Sequence, residues 1–88
     1  MDIKKINIEK IKSELLEKEV TLLELDNYIQ QEIETTQSLF DDEYYVLQDK
    51  SASYYLNDDN DLIIGFEIVE KNENSLYTII KIDEIFIY

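Results

Sequence analysis

The 88-residue chain contains no histidine, arginine, cysteine, tryptophan or proline, and a single glycine, Gly65. Each absence removes a chemistry. Without histidine and cysteine, the commonest general bases, nucleophiles and soft metal ligands are missing. Without cysteine there is neither a disulfide nor a thiolate site. Without arginine, bidentate clamping of phosphate is missing. One glycine and no long loops leave little material for a substrate cleft. No apolar run is long enough to span a membrane. The opening MDIKKINIEKIK alternates basic and apolar residues and lacks the continuous apolar core of a signal peptide. These features lead us to expect a cytoplasmic protein that is not an enzyme, has no cofactor or metal, and does not bind a membrane.

Positive charge is scarce too. Eight lysines stand against 21 acidic residues, for a formal net charge of −13. Lys4, Lys5, Lys10, Lys12 and Lys18 lie in the first twenty residues and are balanced there by five acids. The excess therefore belongs to residues 21–88, and from Glu24 to Asp49 there are eight acids and no base. Concentrated like charge weakens a small domain by self-repulsion. A net charge of about 2–8 suffices for solubility in a domain of this size. The surplus points to a strongly basic partner.

What the chain does have is apolar and β-branched side chains: 44% of residues are hydrophobic, which argues against a disordered acidic tail. The length suits one domain. Ile8, Ile11 and Leu15 recur at helical spacing, with Asn7 placed to cap them, so a helix is expected over about 8–18. Thr21 to Glu24 reads as a capping box. It opens a second helix over about 22–34, with Leu22, Leu25, Tyr28, Ile29 and Ile33 on one side and Asp26, Asn27, Gln30, Gln31 and Glu34 on the other. From Tyr44 the period changes to two. Strands are expected over about 44–48 and 51–56, turning at Asp49-Lys50, with Tyr45 facing Tyr54 in the core and Tyr44 facing Tyr55 outside.

Two longer strands are expected over about 62–71 and 76–86. Their register sets Ile68 opposite Ile80, Phe66 opposite Ile82, Leu62 opposite Phe86, Glu67 opposite Lys81 and Val69 opposite Ile79, which keeps the faces unmixed. The fold class is α+β: two N-terminal helices packed on one face of a four-stranded antiparallel meander.

Carboxylate chemistry is testable by spacing. No lysine completes the acid-then-Glu-x-Lys pattern of metal nucleases. Asn57, Asp59 and Asp61 start like a calcium loop, but Leu62 stands where that loop needs glycine and Ile68 where it needs glutamate. A solvated turn is the better reading. The acids themselves are another matter. Side chains at i and i+4 on a helix stand about 5–6 Å apart, close to successive phosphates of one strand. Glu24, Asp26 and Glu34 on the second helix, Asp41, Asp42 and Glu43 at the joint, and Asp58, Asp59 and Asp61 near the hairpin tip are candidates to imitate such a row. Glu67, Glu70 and Glu73 extend it. Tyr44 and Tyr55 are candidate anchors, since tyrosine offers apolar area at low entropy cost.

In length, charge, lack of catalytic residues and an Ile-, Lys-, Asn- and Tyr-rich composition, the chain resembles the small acidic inhibitors of phages and mobile elements, such as anti-CRISPR proteins and other DNA mimics. The resemblance rests on these bulk properties, not on a motif. It implies a stoichiometric block of a basic nucleic-acid-binding protein, of which a CRISPR effector nuclease is one kind, without direct nucleic-acid binding. The alternative is an immunity protein or antitoxin that neutralises a basic nuclease toxin. A homodimer paired through a sheet edge is a third reading.

Overall fold

Asn7 accepts the amide of Lys10 at 3.1 Å and starts helix α1 (Ile8–Leu15), whose Ile11 and Leu15 are buried. A computed structural model describes residues 7–39, 43–57 and 59–88; of Glu43 and Tyr44 only the backbone is described. The expected first helix stops short because Glu17 takes a left-handed φ of 66°. The chain turns there into β1 (Glu19–Thr21), a strand too short to show a period of two. Its last residue does double duty. Thr21 accepts the Glu24 amide while the Glu24 carboxylate accepts the Thr21 amide, and this capping box opens α2 (Leu22–Glu32). Helix α2 ends at another left-handed residue, Glu34 (φ 49°), with the Thr35 amide returning to the Gln30 carbonyl at 3.1 Å.

Residues 44–48, expected as a strand, belong to helix α3 (Glu43–Asp49). Three acids in a row, Asp41 to Glu43, suit the start of a helix, and Asp49-Lys50 is a poor two-residue hairpin turn. Lys50 (φ 56°) reverses the chain instead. Val46 is buried and Leu47 packs against the core, whereas Tyr45, expected inside, is 63% exposed. With residues 43–49 helical, the expected strand pairing of 44–48 with 51–56 is replaced, and Tyr45 does not face Tyr54.

Strands β2 (Ser51–Asn57), β3 (Asn60–Glu70) and β4 (Ile79–Ile87) make an antiparallel meander, and β1 adds to the far side of β4, giving the order β1-β4-β3-β2. The fold is α+β with a four-stranded sheet, as the sequence implies, but β1 takes the place of the expected strand over 44–48. Phe66↔Ile82, Glu67↔Lys81 and Ile68↔Ile80 pair as expected. Beyond them the register slips. Asp83 and Glu84 bulge opposite Gly65, so Leu62 meets Ile87 rather than Phe86, and a second irregularity sets Glu70, not Val69, opposite Ile79. A 3-10 turn, Ser75–Tyr77, occupies the start of the expected fourth strand.

The core lies between α1 and α2 and one side of the sheet. It joins Ile11, Leu15, Leu22, Leu25 and Ile29 to Tyr54, Leu62, Ile64, Phe66, Ile80, Ile82 and Ile85. The edge of β2 is stitched to residues 35–39: the Gln37 side chain accepts the Tyr55 amide at 3.2 Å, and the Gln30 side chain donates to the Gln37 carbonyl at 3.0 Å. Covering an edge in this way blocks further strand addition there.

Candidate interaction surface

Neighbouring residues on a strand point to opposite sides of the sheet. The core draws on one set only, so the other set forms an outer face. Its layout follows from the register. Glu19, Lys81 and Glu67 make one row across β1, β4 and β3. Glu84, Gly65 and Ser51 make the next, and Phe86, Ile63 and Ser53 the third. Tyr88, Asp61 and Tyr55 make the fourth, with Asp61 and Tyr88 exchanging backbone hydrogen bonds of 3.1 and 2.9 Å.

This face has an apolar centre and an acidic margin. Ile63 and Phe86 are half-buried but belong neither to the core nor to the side chains packed on it. As directly opposed residues they stand about 4.5–5.5 Å apart at Cβ. Tyr55 and Tyr88 flank them, 55% and 79% exposed. The bulge brings both its acids to the same face: a Cβ at Gly65 would lie 3.2 Å from Asp83 Oδ1 and 3.3 Å from Glu84 Oε2. A side chain here would be a tight fit, and the two carboxylates would have to give by a few tenths of an ångström to admit it. Among the described strand residues of this face, Glu19, Asp61, Glu67, Asp83 and Glu84 stand with a single ammonium, that of Lys81, which is drawn aside by Glu17 at 3.4 Å. On the helical side, Lys10 holds Glu32 at 3.0 Å, and this contact raises the lysine pKa.

The expected site residues separate. Asp26 is the clearest correction. Expected on the solvent side of α2, it is 1% exposed. Its carboxylate accepts the Tyr54 hydroxyl at 2.6 Å, the Ser38 hydroxyl at 3.0 Å and the Leu39 amide at 3.2 Å. It is a buried tie between α2, the segment over 35–39 and β2, not a contact for a partner. The helical spacing contained this signal, because Asp26 lies four residues after Leu22 and three before Ile29 on the buried stripe. Burial, and then Asp26, push the Tyr54 phenol well above its usual pKa.

Glu24 is exposed, but its carboxylate is engaged by Thr21. Glu34 lies at the other end of α2, roughly 15 Å away by helical rise, so the two do not share a patch. Asp59 is exposed in the β2–β3 turn, where Asn57 accepts its amide at 2.9 Å. With Asp61 and Tyr55 it clusters at that hairpin's tip. Asp41, Asp42 and Asp58 lie outside the described residues, as do the side chains of Glu43 and Tyr44. Glu19, Asp83 and Glu84 were missed. Two adjacent acids inside an alternating strand were the available sign of a bulge.

No helix among the described residues is long and apolar enough to cross a membrane. No group of His, Cys, Asp or Glu among them is arranged to hold a metal ion. Compared with known protein families, curated proteins and solved structures, the chain matches none.

Proposed function

We propose that this protein is an acidic inhibitor that binds a basic nucleic-acid-binding protein and occupies its nucleic-acid site. The observation that carries this reading is the outer sheet face: carboxylates of Glu19, Asp61, Glu67, Asp83 and Glu84 surround an apolar centre, with Lys81 the one ammonium among the described strand residues of that face. Two residues of strand advance about 6.6 Å, so acids on alternate positions and adjacent strands present negative charge at intervals like those of a phosphate backbone. The target's groove is cationic because it must neutralise phosphates. Long-range attraction then speeds encounter and makes binding fall with salt. Affinity comes from the desolvated centre, Ile63, Phe86, Tyr55 and Tyr88, with the charges as a rim.

A phage-encoded block of a CRISPR effector nuclease is the form of this activity that the composition favours, acting in the bacterial cytoplasm. No catalytic step is involved. The test uses the protein as bait against host lysate at low and high salt, followed by a nucleic-acid binding assay on the captured prey. The expected prey is basic, is released as salt rises, and loses its nucleic acid when this protein is added. A neutral or acidic prey, or a prey that carries nucleic acid and this protein together, overturns the reading.

A further inference from the structure

A cavity of about 220 Å³ lies beside the outer face, where α3 meets the edge strand β2. Its walls combine three chemistries. Leu39 and Val46 give it an apolar floor, Ser51 and Ser53 supply hydroxyls, and Tyr45 and Asp49 stand on α3. Tyr45 and Asp49 are four residues apart on that helix, so their Cβ atoms stand about 5–6 Å apart and both side chains leave one side of it. Tyr45 is 63% exposed, and Ser51 and Ser53 belong to the same sheet side as Ile63 and Phe86.

We propose that this cavity seats an arginine side chain from the cationic partner. The inference rests on the reading of the protein as a binder of basic surfaces and adds to it a specific residue and place. Guanidinium is the group that fits. Its flat face stacks on a phenol ring, its forked N–H donors reach a carboxylate and hydroxyls together, and its aliphatic stem suits an apolar floor. A lysine ammonium meets the carboxylate but neither stacks as well nor offers a planar fork. A second copy of this chain is a poor occupant, since the chain contains no arginine and would bring acids against acids.

The test titrates the isotopically labelled protein with a peptide alternating arginine and glycine, and with its lysine counterpart of equal charge. The arginine peptide is expected to bind about tenfold more tightly, the scale of one stacking contact and one forked ion pair. The largest amide shifts are expected in residues 38–39 and 45–53. Tyr45→Leu and Asp49→Asn should each remove most of that preference while far-ultraviolet circular dichroism stays unchanged. Equal affinity for the two peptides, or shifts centred elsewhere, overturns the arginine seat and leaves the acidic-inhibitor reading in place. If neither peptide binds at low salt, both fall.

Discussion

Asp26 is the residue whose replacement should cost the fold most for its size. It is a carboxylate inside the protein, held by two hydroxyls and one amide at 2.6 to 3.2 Å. A hydrogen bond to a charged group contributes about 1.5–3 kcal/mol. The three do not simply add, because Ser38 at the margin can turn to water. Asp26→Ala strands the buried Tyr54 hydroxyl and Leu39 amide without an acceptor, at about 1–3 kcal/mol each, so a loss of about 3–5 kcal/mol is expected. An 88-residue chain at about 0.05–0.15 kcal/mol per residue has only about 4–13 kcal/mol in total. At the lower end of that range Asp26→Ala removes most of the stability at room temperature.

Asp26→Asn keeps the shape and one acceptor oxygen and should cost less, about 1–2 kcal/mol. Tyr54→Phe removes the shortest of the three bonds without emptying the core and should cost about 1.5–3 kcal/mol. Urea unfolding followed by circular dichroism measures each value. The double variant Asp26→Asn/Tyr54→Phe should be less destabilised than the sum of the singles by about 1–2 kcal/mol, because both report on one contact. A loss below about 1 kcal/mol for Asp26→Ala, or additive singles, would refute the assignment of Asp26 as an internal tie.

The Tyr54 phenol ionises less readily folded than unfolded, so its contribution is present below about pH 10 and is lost as pH rises above that value, by about 1.4 kcal/mol per pH unit. Urea midpoints at about pH 9 and about pH 11 should diverge, and Tyr54→Phe should lessen the difference by this share. Among the described residues no hydrogen bond of good geometry reaches the shielded Tyr28 hydroxyl, although burial and then the nearby Glu14 carboxylate raise its pKa. Tyr28→Phe should therefore leave stability unchanged or raise it by about 1 kcal/mol, read as the same midpoint. Lys50 ends α3 in a left-handed conformation that glycine adopts freely, so Lys50→Gly should stabilise by about 0.5–1 kcal/mol in thermal melts. Finally, Asp83→Asn/Glu84→Gln should weaken capture of the basic prey and flatten its salt dependence while the melting temperature holds or rises, since like charges are removed. Undiminished capture would place the interface off the outer face.

The fold was legible where one physical rule acted alone. The capping box at Thr21 and Glu24 fixes the start of α2 within a residue. The alternation through Phe66–Ile68 and Ile80–Ile82 fixes the centre of the β3–β4 pair, because any slip would expose isoleucine and bury charge. It was illegible where rules competed. Tyr44-Tyr45-Val46 has strand-forming side chains, yet the acids before it favour a helix start and Lys50 closes it. Three-residue β1 carries too little pattern to be seen, and it is defined by its partner, β4. The candidate surface was partly legible: Tyr55 and Glu67 were named from alternation and Asp61 from its place near the hairpin tip, while Asp83 and Glu84 depend on a bulge opposite Gly65. Asp26 was misplaced because its polarity outweighed its position on the helix.

The order β1-β4-β3-β2 has a consequence for biosynthesis. Strand β4 is made after the other three, yet it sits inside the sheet, between β1 and β3. A nascent chain halted before Ile79 has no partner for Glu19–Thr21 and lacks Ile80, Ile82 and Ile85. Only when residue 87 has cleared the ribosome's exit tunnel can the sheet zip shut. Until then the emerging polypeptide is exposed to chaperones and proteases, and its acidic residues help to keep it from clumping.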